Sequence, residues 1–177
     1  MEFINRNPKI IIISGKASSG KSLSANIIKD NTNNTILLAY ADYLKMYAKN
    51  ISGWDGSEDT KPRELLQQLG VELIKKNINE NMLINRIIED IKVYSYFYDY
   101  IVITDARFPN EIESIKKEFD NVISVRINRN IYSLDKKYQN HSTETGMDEY
   151  NNYDYVIDNN NDLKALEIKV MEVVKNA

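Results

Sequence analysis

Apolar residues fall in short β-branched runs, separated by stretches in which they recur every three or four positions. Lys9-Ile-Ile-Ile-Ile-Ser14, bounded by Pro8 and Gly15, reads as a strand buried on both faces. Gly15 to Gly20 is a loop of small residues, after which Leu23, Ile27 and Ile28 recur at helical spacing. A second strand is predicted over Ile36–Tyr40 and a helix over Asp42–Asn50, ended by the turn-rich Gly53-Trp-Asp-Gly56. Leu65, Leu66, Leu69 and Leu73 put a helix over Arg63–Lys75, with Pro62 near its start. Met82, Ile84, Ile87, Ile88 and Ile91 put another over Glu80–Tyr94. A third strand, Tyr100–Thr104, ends at Asp105, and Pro109 opens a helix with Ile112 and Ile115 inward and Glu111 and Glu113 in its early turns. The aromatic run Tyr94–Tyr100 reads as packing at a helix end and a strand edge. Val122–Ile127 and Tyr155–Ile157 are predicted strands, and Leu163–Val174 is a closing amphipathic helix.

Strands that alternate with helices predict an α/β fold, a five-stranded parallel sheet with helices on both faces. At 177 residues the chain reads as a single domain over 1–177. Residues 128–152 are polar and lack a clean period, which predicts a small lid segment with one or two short helices.

Composition narrows the function. Hydrophobic residues at 42% and charged residues at 28% exclude a disordered chain. The net charge of −3 supplies no broad basic field, so a nucleic-acid polymer is not expected as partner. There is no cysteine, which excludes disulfide scaffolds, thiol catalysis and thiolate metal sites. The longest aliphatic run, Ile10–Ile13, is far short of a membrane span, and the N-terminus carries Asn5, Arg6, Asn7 and Pro8 instead of a signal peptide's apolar stretch. A soluble, cytoplasmic protein without a membrane partner is expected.

Gly15-Lys16-Ala17-Ser18-Ser19-Gly20-Lys21-Ser22 matches G-x-x-x-x-G-K-[ST], the Walker A pattern, at every fixed position, between a predicted strand and a predicted helix. The glycines let backbone N–H groups turn inward around phosphate oxygens, and the following helix presents its positive end. Lys21 would reach the β- and γ-phosphates of ATP and the Ser22 hydroxyl would ligate Mg²⁺. The region Ile157-Asp-Asn-Asn-Asn-Asp162 lacks the guanine reader of a GTPase, and a helicase needs more chain, so a small kinase fits best. Asp105, at the end of a buried strand, faces the phosphate crevice, where it would hold Mg²⁺ through water; the plain alternative is a turn cap ahead of the Pro109 helix. Arg107 could reach phosphate from the same rim.

Asp105-Ala-Arg-Phe-Pro-Asn-Glu111 resembles the D-x-R-F-x-N-E segment of phage-type deoxynucleoside monophosphate kinases. Ala41-Asp-Tyr-Leu-Lys45, Arg63-Glu-Leu-Leu-Gln-Gln-Leu-Gly70, His141-Ser-Thr-Glu144 and Tyr155-Val-Ile-Asp-Asn159 resemble further pieces of that family in the same order, almost along the whole chain. The resemblance implies transfer of the γ-phosphoryl group of MgATP to a (deoxy)nucleoside 5′-monophosphate for DNA synthesis, in the host cytoplasm if the chain is phage-encoded, with a homodimer possible by family analogy.

An acceptor monophosphate needs cations, and Lys45, Arg63 and Arg107 are the candidates. Asp42 would bond sugar or base, orient Arg63, or serve as a helix N-cap. Trp54 would stack on a base or belong to the core. Gln67 belongs to the acceptor helix pattern, Glu144 would orient a lid arginine or the acceptor sugar, and Asn159 with Arg129 would complete the ATP side. His141 is read as structural, and Lys136 and Lys137 as solvated. Two rivals stay open: another small-molecule kinase, of phosphomevalonate or dephospho-coenzyme A type, and a nucleotide-binding regulatory subunit without turnover.

Overall fold

The computed structural model describes residues 2–130 and 141–176. Among them five strands form one sheet in the order β2-β3-β1-β4-β5: β1 Lys9–Ser14, β2 Thr35–Leu38, β3 Tyr100–Ala106, β4 Val122–Asn128 and β5 Tyr155–Asp158. Every pairing is parallel. The continuous apolar runs are explained by burial on both faces. Ile10 and Ile12 point into one core, with Ile101 and Ile103 beside them, while Ile11 and Ile13 point into the other, with Val102 and Val125.

Helices α1 (Lys21–Asn31) and α7 (Leu163–Asn176) cover the second face through Ala25, Ile28, Leu166 and Val170. Helices α2 (Tyr40–Ser52), α4 (Met82–Tyr94) and α5 (Pro109–Glu118) cover the first through Tyr40, Ile87, Ile91, Ile112 and Ile115. The chain thus leaves β1 toward one face and β3 toward the other. The crevice between their C-terminal ends is the switch point at which α/β sheets bind ligands. At this rim the β1–β3 register slips between Ile12 and Ser14, a bulge that shifts Asp105 relative to a regular ladder.

Three elements differ from expectation. Strand β2 stops at Leu38, and Tyr40 instead opens α2 as a buried residue. Leu23 is 43% exposed, and α1 buries Ser24 and Ala25 along with Ile27 and Ile28. The predicted Arg63–Lys75 helix is α-helical only over α3 (Arg63–Gln67) and continues as a π-helix over Gln68–Ile78. A π-helix closes its hydrogen bonds from i to i+5 and winds wider than an α-helix, and in it Leu69 and Ile74 are both buried while Leu73, expected on the same face, is 45% exposed.

The expected lid is described in part: residues 131–140, with Lys136 and Lys137, lie outside the described residues. Short α6 (Ser142–Thr145) follows, its N-terminus capped by His141 Nδ1 accepting from Thr143 N–H at 3.3 Å, and Met147 is buried in the first core.

Candidate active site

The loop from Gly15 to Ser22 joins β1 to α1 at the switch point. A side chain on Gly15 would lie 2.5 Å from the Ile127 carbonyl, so only glycine lets the loop pass this close to β4. Gly20 has φ +106°, and a Cβ there would collide with Asn159 Nδ2. Asn159 is buried and donates from that amide to the Ser19 carbonyl at 2.9 Å. It therefore braces the phosphate loop at Ser19. Arg129 is exposed beyond the end of β4.

Lys21, at the first position of α1, folds back so that its Nζ donates to the Lys16 carbonyl at 2.7 Å. Burial, with Arg107 nearby, lowers its pKa from 10.5 to about 7, while Glu144 and Asp105 oppose the shift. Bound phosphates would restore the ordinary value. Between pH 7 and 10 the free protein then carries fewer protons on Lys21 than the complex does. ATP binding at pH 8.5 is accordingly expected to take up close to one proton, and to weaken as pH rises above 7. Calorimetry in buffers of different ionisation enthalpy reads this uptake, and Lys21→Met should abolish it.

Asp105 does cap a helix, although not the one expected. Its two carboxylate oxygens accept from the N–H groups of Tyr40 (2.8 Å) and Ala41 (2.9 Å), the open first turn of α2. The Pro109 helix is capped by Glu111, whose carboxylate accepts from Arg107 N–H at 2.6 Å and Phe108 N–H at 3.1 Å. Burial raises the pKa of both carboxyls, that of Glu111 to about 7. Asp42, which the sequence offered as the cap, is displaced from that role because α2 begins two residues earlier. It pairs instead with Lys45 at 2.8 Å on the outer surface.

Between this rim and the continuous α3–π-helix segment lies a cleft of about 220 Å³. Arg63, Gln67, Arg107 and Glu144 line it together with Asp105. Asp42, Lys45 and Trp54 do not. Trp54 is half-buried in its own turn, donating from Nε1 to the Ser57 carbonyl at 3.0 Å, with Lys49 over its ring at 5.8 Å. Arg63 does not meet Asp42; its guanidinium is half-exposed, 3.6 Å from Glu58. The cleft also contains Tyr40, Lys61, Lys75, Phe108 and Glu111, none of which the sequence marked as site residues. Phe108 and Glu111 carried a signal, as fixed positions of the Asp105 segment.

Glu144 joins the cleft to the phosphate loop. Its Oε2 accepts from Ala17 N–H at 2.8 Å, and its Oε1 from Arg107 NH1 at 2.7 Å. Arg107 also donates to the Thr143 carbonyl at 3.2 Å. Next to it Asp148 pairs with Lys16 at 2.9 Å and approaches Arg126 at 3.7 Å.

A glycine-bounded loop at the end of the central strand, a lysine opening the next helix and a cationic cleft across the switch point define a P-loop kinase. The fold is shared with solved kinases of low sequence similarity. The APS kinase of Mycobacterium tuberculosis, in complex with AMPPNP and APS, is 10% identical, with a TM-score of 0.56 and coverage of 96% of this chain and 98% of that one. Dephospho-CoA kinase from Campylobacter jejuni is 13% identical, with a TM-score of 0.53 and coverage of 96% and 97%. Shikimate kinase from Aquifex aeolicus is 11% identical, with a TM-score of 0.53 and coverage of 94% and 96%. No curated protein sequence matches significantly. Residues 53–170 match the deoxynucleotide monophosphate kinase family, and the chain belongs to it. It is a phosphotransferase acting on nucleoside monophosphates.

Proposed function

We propose that the chain transfers the γ-phosphoryl group of MgATP to a deoxynucleoside 5′-monophosphate held in the Arg63–Arg107 cleft, giving ADP and the diphosphate. One observation carries this reading. A phosphate-loop donor, Ala17 N–H, and a cleft donor, the Arg107 guanidinium, converge on the two oxygens of a single carboxylate, Glu144. Two anion-binding groups, one from each side, thus meet where a transferring phosphoryl group has to pass.

The loop N–H groups and Lys21 would cradle the ATP phosphates, while Arg107 and Arg63 grip the acceptor's phosphate. The acceptor oxygen is already ionised, so no base is required. Catalysis then rests on alignment and charge neutralisation. The Ser22 hydroxyl and, through water, Asp105 would hold Mg²⁺, which when bound neutralises charge on the phosphates. Asp105 fits this role, because each of its oxygens accepts one backbone bond and keeps a lone pair. Among the described residues no three acidic or histidine side chains gather as a metal cage. That suits an ion ligated mainly by phosphate and water. Asn159 would act on ATP only through the loop it braces. The family match supports a role in deoxynucleotide supply, in the cytoplasm of a phage-infected host if the chain is phage-encoded; within the described residues no helix is long and apolar enough to cross a membrane.

Arg63 supplies the test. Arg63→Met is expected to raise the KM for the monophosphate, lowering kcat/KM by one to two orders of magnitude, the equivalent of about 1.5–3 kcal/mol, and to leave the KM for ATP nearly unchanged. Arg63→Lys should recover only part of the loss, because an ammonium cannot make the planar paired contact. Equal losses for both substrates would refute the acceptor assignment.

A further inference from the structure

The π-helix has a consequence inside the cleft. Arg63 and Lys75 are twelve residues apart, which in an α-helix of 3.6 residues per turn leaves them about a third of a turn out of phase. The wider winding of the π-helix instead brings Lys75 round toward Arg63, and Leu66, Gly70, Val71 and Lys75 all line the cleft with it. Lys75 is half-buried there, and its ammonium sits 3.3 Å from the centroid of the Phe108 ring. The ring is itself held in place. Phe108 follows Arg107 directly, its N–H is bound by Glu111, and its edge lies so close to Gly146 that a Cβ there would be 2.9 Å from Cδ1.

We infer that the Phe108 ring is the stacking face for the acceptor's base, and that Lys75 covers this face until the base displaces it. The inference rests on the acceptor-cleft reading above. A purine or pyrimidine ring and an ammonium seek the same π-face, so one excludes the other. Lys75 is poised to leave. Desolvation lowers its pKa, and Glu111 and Glu80, both lining the cleft, offer its cation a new partner. Lys75 is thereby a specificity-determining residue, since a base binds only to the extent that its stacking exceeds the cation–π contact it replaces.

The test measures the KM of dAMP, dGMP, dCMP and dTMP, beside competitive inhibition by 2-deoxyribose 5-phosphate, which lacks a base. Phe108→Leu should raise the KM of the accepted monophosphates about tenfold, within the range of base–aromatic stacking, and leave inhibition by the base-less phosphate unchanged. Phe108→Tyr, which keeps the ring, should remain near wild type. Lys75→Met should lower the KM of the monophosphates about threefold. If Phe108→Leu weakens the base-less phosphate as much as the nucleotides, or Lys75→Met raises the KM of nucleotides and base-less phosphate alike, the inference is overturned. In that event the ring is only packing, or Lys75 is a phosphate contact. A wild-type chain that phosphorylates none of the four nucleotides would instead refute the acceptor-cleft reading, and this inference with it.

Discussion

Lys21→Ala is expected to lower kcat by about 10³-fold or more while the protein keeps its fold. The side chain is the one cation of the phosphate loop that can follow charge from the β- to the γ-phosphate during transfer, and a single preorganised donor of this kind supplies about 10²–10³-fold on its own. Stability should hardly change. Lys21 is buried, and its charged form is disfavoured: its pKa of about 7 lies below the unfolded value. The folded state therefore gains nothing from the charge at neutral pH, and stability rises with pH between the two values. Removing the amine loses a bond to the Lys16 carbonyl but also a desolvated group, for a net change under about 1 kcal/mol, or about 2–4 °C in Tm. Near wild-type turnover in a folded Lys21→Ala protein would remove the phosphate-loop assignment.

The second large effect is expected at Arg107. On the proposed reading Arg107→Met should cost two to three orders of magnitude in kcat/KM for the monophosphate, because it deletes the cation between the phosphate loop and the cleft. It should also destabilise the protein. Glu144 is 7% exposed and would be left without this partner, and breaking such a pair costs up to about 3–5 kcal/mol, less here because the Arg107 side chain is 27% exposed. The two effects separate in a double variant. Adding Glu144→Gln to Arg107→Met removes the buried charge that has lost its Arg107 partner and should restore most of the melting temperature but none of the activity. Recovery of both together would make Arg107 a structural residue only.

How much of this was legible depended on the range of the interactions involved. The β1–loop–α1 unit is local: a β-branched run, two glycines and a lysine specify it within 14 residues, and its reading needs no distant partner. Asp105 was legible as a residue of the site rim. Its bonds to Tyr40 and Ala41 were not, because they span 65 and 64 residues and no spacing rule connects a strand end to a helix start that far away. Once Asp105 takes over the cap of α2, Asp42 is free to pair with Lys45. Asn159 was recognised as belonging near the loop, but which side of it depends on how β5 packs beside β4.

The π-helix was illegible for a different reason. Leu65, Leu66, Leu69 and Leu73 satisfy the 3.6-residue period, and the sequence carries no signal that the winding widens after Gln67. Assuming the α period put Leu73 inward and drew no attention to Lys75, the last residue of the predicted helix. The observed winding exposes Leu73 and turns Lys75 over Phe108. A cluster of four cleft cations, Lys61, Arg63, Lys75 and Arg107, thus came from three separate segments, of which the sequence reading found two members.

The most direct measurement is phosphorus NMR of the purified chain with MgATP, supplied in turn with each of the four deoxynucleoside monophosphates, phosphomevalonate and dephospho-coenzyme A. The account predicts ADP and a deoxynucleoside diphosphate appearing in equal amounts with at least one nucleotide, and no product from the other two acceptors. Transfer to phosphomevalonate or dephospho-coenzyme A with none to any deoxynucleotide, or ATP binding without transfer to anything, would contradict it.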